Sequence, residues 1–205
     1  IGVGEEGLLY FDRTQRSFKK ISPNFKLFTT SAELKENFYI LSLHLTTDEK
    51  HLLIGTLTGL FDYDIVANTW HFFLNNQFVS GHLQGGYINS IVSDGETAYL
   101  ATVNGISSYN YRTHTIENYG VSSRQLASLV QDSAHIYIGS RAGGLWKFNK
   151  KSKEIAKITP QKMPIPKRIR SMYLDAQNRL LVGTDQEGIF RISRNFTQIE
   201  AISHI

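Results

Sequence analysis

The chain has no cysteine among its 205 residues, which excludes disulfides, thiolate nucleophiles and cysteine-ligated metals and is compatible with an oxidising compartment. Prolines number only four and no low-complexity tract occurs, so the composition is not that of a disordered protein. No apolar run approaches the length needed to span a bilayer, and no charged stretch followed by an apolar one opens the sequence. Charge is moderate: the net value is +4, and much of the excess lies between Lys147 and Arg170. A solvated strand-and-loop face accounts for it better than nucleic-acid binding does.

What is present is repetition. A short apolar strand, a small residue, a glycine and an aromatic-studded strand recur five times. The copies run Ile1-Gly-Val3 to Gly7-Leu-Leu-Tyr-Phe-Asp12, Leu53-Ile-Gly-Thr56 to Gly59-Leu-Phe-Asp-Tyr-Asp64, and Leu100-Ala-Thr102 to Gly105-Ile-Ser-Ser-Tyr-Asn110. Ile138-Gly-Ser140 to Gly144-Leu-Trp-Lys-Phe-Asn149 and Val182-Gly-Thr184 to Gly188-Ile-Phe-Arg-Ile-Ser193 complete the set. The second glycines are spaced by 52, 46, 39 and 44 residues. A period in the forties with several short strands per unit is the mark of a β-propeller blade. Hydrophobic content of 41% and aromatic content of 12% suit sheets packed face to face.

Each later copy has an upstream half. Ile40-Leu-Ser42, Ile88-Asn-Ser90, Leu126-Ala-Ser128 and Ile169-Arg-Ser171 each open an alternating apolar run, as a half-buried strand requires. An aspartate follows every time, at Asp48, Asp94, Asp132 and Asp175. Its side chain can accept hydrogen bonds from backbone amides two or three residues on, so these aspartates are expected to build hairpin turns and not to act as catalytic acids.

The expected blade order is strand A (Ile88–Val92), B (Tyr99–Thr102), C (Gly105–Tyr109) and D (Thr115–Tyr119). The small residue of strand B (Gly2, Gly55, Ala101, Gly139, Gly183) is expected to admit a neighbouring blade closely. The second glycine suits a turn that needs positive φ. Tyr63, Tyr109, Trp146, Phe148 and Phe190 are expected to fill the space between blades. The whole of residues 1–205 thus reads as one all-β propeller segment of four-stranded antiparallel blades. They run over approximately 1–22 (partial), 38–74, 87–120, 125–159 and 168–203. The first unit has no strand A, so the expectation is a contiguous stretch of a larger, seven-bladed propeller whose true beginning lies upstream; open blade edges would otherwise expose unpaired backbone groups.

The combination I-x-S, D, (L/Y)-(I/V)-G-T, G-(L/I)-(F/W)-x-(F/Y/I)-(D/N) resembles the two-component regulator propeller repeat over nearly the whole chain, best in Leu126–Asn149 and Ile169–Ser193. It departs from the family where a tryptophan is usual before I-G-T, having Leu53, Tyr99, Tyr137 or Leu181 instead. The resemblance implies a periplasmic sensor region of an inner-membrane hybrid histidine kinase, with paired propellers that bind an oligosaccharide and help form a homodimer. Kinase, membrane helix and sandwich domain would lie outside this sequence.

Chemistry is expected where the repeat fails. The long D–A connections at Ile21–Tyr39, Leu74–Tyr87 and Thr159–Arg168, with the variable B–C turns, share one propeller face, and irregular loops on a rigid scaffold are where binding concentrates. The candidate ligand-binding residues are Asn76, Gln77, His82, Gln84, Tyr87, Asn104, Arg141, Asp185 and Gln186. Arg141 and Asp185 come first, although opposite charges on adjacent blades can satisfy each other. The Leu74–Tyr87 loop also reads as a solvated connection pinned by Phe78 and Tyr87. No cofactor and no metal is expected, since the seven histidines (44, 51, 71, 82, 114, 135, 204) occupy unrelated blade positions without a ligand spacing. No nucleophile elbow or P-loop is present, and Gly2-x-Gly4-x-x-Gly7 is a strand turn. The alternatives are a polysaccharide lyase or glycoside hydrolase, with Asp185 or Glu187 opposite Glu5 or Glu6 as its carboxylates, or a protein–protein interaction propeller. Partners are thus an oligosaccharide or other small ligand, with no nucleic acid and no membrane contact through this stretch.

Overall fold

The structure is a computed structural model of the chain and describes residues 2–3, 7–21, 23, 39–75, 81–121, 125–159 and 166–203. Every regular element among them is a β-strand. The first sheet holds β1 (Gly2–Val3), β2 (Gly7–Asp12) and β3 (Ser17–Ile21), and the second β4 (Ile40–Leu45), β5 (His51–Thr56), β6 (Gly59–Asp64) and β7 (Thr69–Leu74). The third holds β8 (Ser90–Asp94), β9 (Thr97–Ala101), β10 (Gly105–Asn110) and β11 (Thr115–Gly120). The fourth is β12 (Leu126–Gln131), β13 (His135–Ser140), β14 (Leu145–Asn149) and β15 (Ile155–Lys157). The fifth is β16 (Ile169–Leu174), β17 (Leu180–Thr184), β18 (Ile189–Ile192) and β19 (Ile199–Ser203). In every sheet strands neighbour one another in chain order, the meander of a propeller blade. The fold is therefore all-β and built of propeller blades, the first of which has strands B, C and D.

The chain divides into two compact units, Ile1–Tyr99 with Ser108–Glu117 and Leu100–Ser107 with Asn118–Ile205. In the first unit Leu8, Ile54 and Phe61 are buried together, with Ile21, Ile40, Leu52, Trp70 and Leu74 packed on them. In the second, Tyr137, Leu145, Ile158, Ile169, Met172, Leu180, Val182, Ile192 and Ile199 form one apolar cluster. Alternation along each strand supplies these inward faces.

The I-x-S motif has a structural meaning that its alternation does not reveal. Pairing slips by one residue between Ile40 and Ser42, Leu126 and Ser128, and Ile169 and Ser171, so each motif is a β-bulge at the start of strand A. The serine then stands opposite the small residue of strand B: Ser42 faces Gly55, Ser128 faces Gly139 and Ser171 faces Gly183. The hydroxyl of Ser42 donates to the Ile88 carbonyl at 2.7 Å. Ser128 Oγ accepts the Met172 amide at 3.0 Å. Serine thus stitches one strand A to the next.

The space for this contact comes from glycine. A Cβ on Gly55 would lie 2.3 Å from Ser42 Oγ and 2.5 Å from the Ile88 carbonyl oxygen. On Gly139 it would lie 2.7 Å from Ile169 Cγ2 and 2.9 Å from Met172 Sδ. The expected close approach of a neighbouring blade is present at both. At the second glycine of the repeat the reason is partly different: a Cβ on Gly59 would meet the Phe73 carbonyl oxygen at 2.1 Å, so strand D crowds this turn.

Candidate functional site

Most of the recurring polar residues are consumed by turns. Asp132 Oδ1 accepts the amides of Ala134 (2.8 Å) and His135 (2.7 Å). Asp175 Oδ1 accepts those of Gln177 (3.0 Å) and Arg179 (2.8 Å). Asp48 accepts the Thr46 hydroxyl and the Lys50 amide. The turn-building role expected for these three aspartates is what the structure contains, and their hydrogen bonds hold all three carboxyls below the ordinary carboxylate range. In Asp48 the Thr46 hydroxyl is the leading cause; in Asp132 and Asp175 the bonds act against a desolvation that pushes upward.

A second series went unread in the sequence. The residue ending strand C (Asp12, Asp64, Asn110, Asn149) accepts the amides two and three residues on. The residue four places after it (Arg16, Asn68, His114, Lys153) has positive φ. The threonine after the small residue of strand B closes the B–C turn: Thr56, Thr102 and Thr184 donate to the carbonyls of Gly59, Gly105 and Gly188 at 2.8–2.9 Å.

One set of exposed side chains lies where D–A connections enter strand A. In the first unit Asn75 and Leu83 form an isolated bridge, and Leu83 is 0% exposed. Leu83 is therefore the residue that pins this loop, whereas Tyr87, expected to help pin it, is 51% exposed; Phe78, Asn76 and Gln77 lie outside the described residues. His82 and Gln84 are exposed on either side of Leu83. The Tyr87 amide donates to the Leu57 carbonyl of a B–C turn at 3.0 Å.

In the second unit Gln125 repeats this bond, and both Gln125 and Arg168 accept an amide from the B–C turn of their own blade. The Gln125 amide donates to the Val103 carbonyl at 3.2 Å, and the Gln125 carbonyl accepts the Arg141 amide at 3.1 Å. The Arg168 carbonyl accepts the Asp185 amide at 3.1 Å. Tyr87, Gln125 and Arg168 have φ of 53°, 59° and 51° and directly precede the fully buried Ile88, Leu126 and Ile169. A non-glycine residue in this region costs about 1–2 kcal/mol, so the surrounding hydrogen bonds hold it there. The conformation repeats while the exposed side chain changes from phenol to amide to guanidinium. Gln125 and Arg168 were missing from the sequence-derived site, because positive φ at a non-glycine residue leaves no compositional trace.

Asn104, Arg141 and Gln186 are exposed in their B–C turns. Asp185 does not pair with Arg141 of the adjacent blade, as the sequence allowed, but with Arg170 on strand A of its own blade. The bulge explains this choice, because it turns residue 170 outward beside the B–C turn. Glu187 accepts the Lys167 amide at 2.9 Å. Both carboxylates considered for hydrolysis are thus held by the start of strand A and the connection leading into it, and Glu5 and Glu6 lie outside the described residues.

The histidines read as scattered are partly gathered. Asp62, on strand C of the second sheet, is 0% exposed. His51 Nδ1 lies 2.9 Å from its Oδ1, and the Tyr109 hydroxyl donates to its Oδ2 at 2.7 Å. His114 Nδ1 lies 2.8 Å from the same hydroxyl. With the Tyr109 proton directed to the carboxylate, His114 must donate to the phenolic oxygen. His71 stacks on His114 at 4.1 Å. Burial, then the charge of Asp62, pushes the Tyr109 phenol far up; burial, then His71, pushes His114 down. No group of three or more metal-ligating side chains occurs among the described residues.

No protein-family model matches the chain, and no curated protein matches it in sequence. Solved structures do. The extracellular domain assigned to the hybrid two-component system BT4673 of B. thetaiotaomicron superposes with a TM-score of 0.63 at 22% identity, covering 80% of this chain and 21% of that one. The corresponding BT3049 domain gives 0.67 at 18% identity, covering 82% and 25%. A chain of the mitotic checkpoint complex gives 0.68 at 13% identity, covering 95% and 58%. The chain therefore spans about a fifth to a quarter of the bacterial extracellular domains it matches. All three share its fold, and their different contexts illustrate that a propeller does not dictate function.

Proposed function

We propose that this chain is a stretch of an extracytoplasmic, non-catalytic ligand-sensing propeller of a two-component sensor, within a ring of seven blades. It recognises an oligosaccharide through exposed D–A and B–C residues, and in the complete protein a homodimer passes the signal to a cytoplasmic kinase. The reading is carried by the main-chain-anchored, exposed side chains of Tyr87, Gln125 and Arg168 at equivalent blade positions. Rigid backbone with variable polar and aromatic side chains is what several converging weak contacts require. The likeness to extracellular domains assigned to two-component systems supports it. A ligand with different affinity for two dimer arrangements would shift their populations.

Titration calorimetry of the complete extracellular region against neutral and acidic oligosaccharides tests the reading. Saturable binding without new products is the expected result, weakened by Tyr87→Gly or Arg168→Gly. Product formation assigns the hydrolase or lyase class instead, and silence across the panel assigns a protein–protein scaffold.

A further inference from the structure

A groove of about 430 Å³ opens in the second unit at the A–B and C–D turns, away from the D–A loops. It is built by the fourth and fifth blades. Tyr137 and Phe196 form its aromatic wall, with ring centroids 5.5 Å apart. Lys147 and Arg194 supply cations, and Gln131 and Asn178 supply amides.

The charge balance selects the ligand. Asp132 also lines the groove; its Oδ1 accepts the Ala134 and His135 amides and its Oδ2 the Tyr137 hydroxyl at 2.7 Å, so its single negative charge is held at the turn and leaves the two cations in excess by one. His135 Nδ1 stands 3.6 Å from Oδ1. Neither Lys147 nor Arg194 is paired with an acidic side chain among the described residues, whereas Arg170, Arg179 and Arg191 nearby all are. The strand C residues matching Lys147 are Asp62, Ser108 and Arg191 in three other blades, and of the two cations at this position Arg191 is paired with Glu200 whereas Lys147 is not. A half-buried ammonium, an exposed guanidinium and an aromatic wall around one cavity attract an anion with a flat apolar body.

We infer that this groove binds a small carboxylate-bearing ring compound, its carboxylate between Lys147 and Arg194 and its ring against Tyr137 and Phe196. This is a second site, independent of the D–A loop site proposed above.

The test is calorimetry on the full chain with phenylacetate, glucuronate and the neutral analogue phenylacetamide. At least one acid is expected to bind at least about tenfold more tightly than the amide, corresponding to 1.4 kcal/mol. Which acid binds identifies the ring as arene or sugar. Arg194→Gln and Lys147→Met should each weaken the acid and leave the amide unchanged, with Arg194, an exposed turn residue, as the variant least able to disturb folding. Equal binding of acid and amide, wild-type affinity in Arg194→Gln, or no heat up to about 10 mM acid each overturns the proposal. Tyr87→Gly serves as the separating control, since it alters the D–A loop site and should leave this titration unchanged.

Discussion

The Tyr109 hydroxyl donates to Asp62 at 2.7 Å across two neighbouring blades of the first unit. It joins a fully buried carboxylate on β6 to a fully buried phenol on β10. In the fourth blade, within the second unit, the position matching Asp62 is Lys147, which lines a groove. The polar clamp at Asp62 substitutes directional bonds for side-chain volume, and its strength depends on every member being satisfied.

Tyr109→Phe keeps the ring and removes the donor, leaving a buried carboxylate short of one partner. Urea unfolding is expected to give a loss of about 2 kcal/mol. A change within about 0.5 kcal/mol would mean that His51 alone satisfies Asp62.

The clamp and its neighbours make stability depend on pH. Burial lowers His114 and His44, the latter bonded to Ser93 at 2.7 Å, below the ordinary 6.5. The unfolded chain protonates these imidazoles near 6.5 and the folded chain only at lower pH, so the unfolded state binds more protons in between. Their contribution is complete above that value and falls as pH drops below it. Asp48, Asp132 and Asp175, lowered from 3.8, add a second decline below that pH. Melting temperatures across pH 7 to 3 should therefore fall in two stages, and the double variant His44→Gln, His114→Gln should flatten the first.

Gly55→Ala places a Cβ against Ser42 Oγ and the Ile88 carbonyl. A cost of about 1–3 kcal/mol is expected from this overpacking. Adding Ser42→Ala relieves only the hydroxyl clash, so denaturant unfolding of the double variant should recover part of the loss and not all of it.

Gln125 and Arg168 occupy a backbone region that glycine enters without penalty. Gln125→Gly and Arg168→Gly are expected to melt like the parent, or to gain up to about 1 kcal/mol. Arg168→Val, β-branched in the same conformation, should be clearly destabilised. Similar melting of the glycine and valine variants would show that this conformation is not maintained in solution.

Much of this architecture was legible in the chain. The alternating runs, the five glycines and the aspartates at or just after the end of strand A are local signals, and each marked an element or turn that is present. Leu83 as the pin of the Leu74–Tyr87 loop was not legible, because one leucine in a polar stretch becomes a core residue only when a parallel bridge to Asn75 folds it inward. The Asp185–Arg170 pair was missed for a similar reason. A bulge at Ile169–Ser171 reorients residue 170, and no periodicity reports that slip.

By itself, then, the sequence determined the blade: its strand order, its turns and the glycines that let strands crowd together. These depend on neighbours a few residues apart and on a pattern that recurs. Tertiary structure decided which polar residues remain available. Asp62, His51, Tyr109 and His114 meet only because two blades pack together, and Lys147 and Arg194 share a groove only because two others do. Charge pairing and burial are properties of that packing, so the chemistry of this protein is written between its repeats.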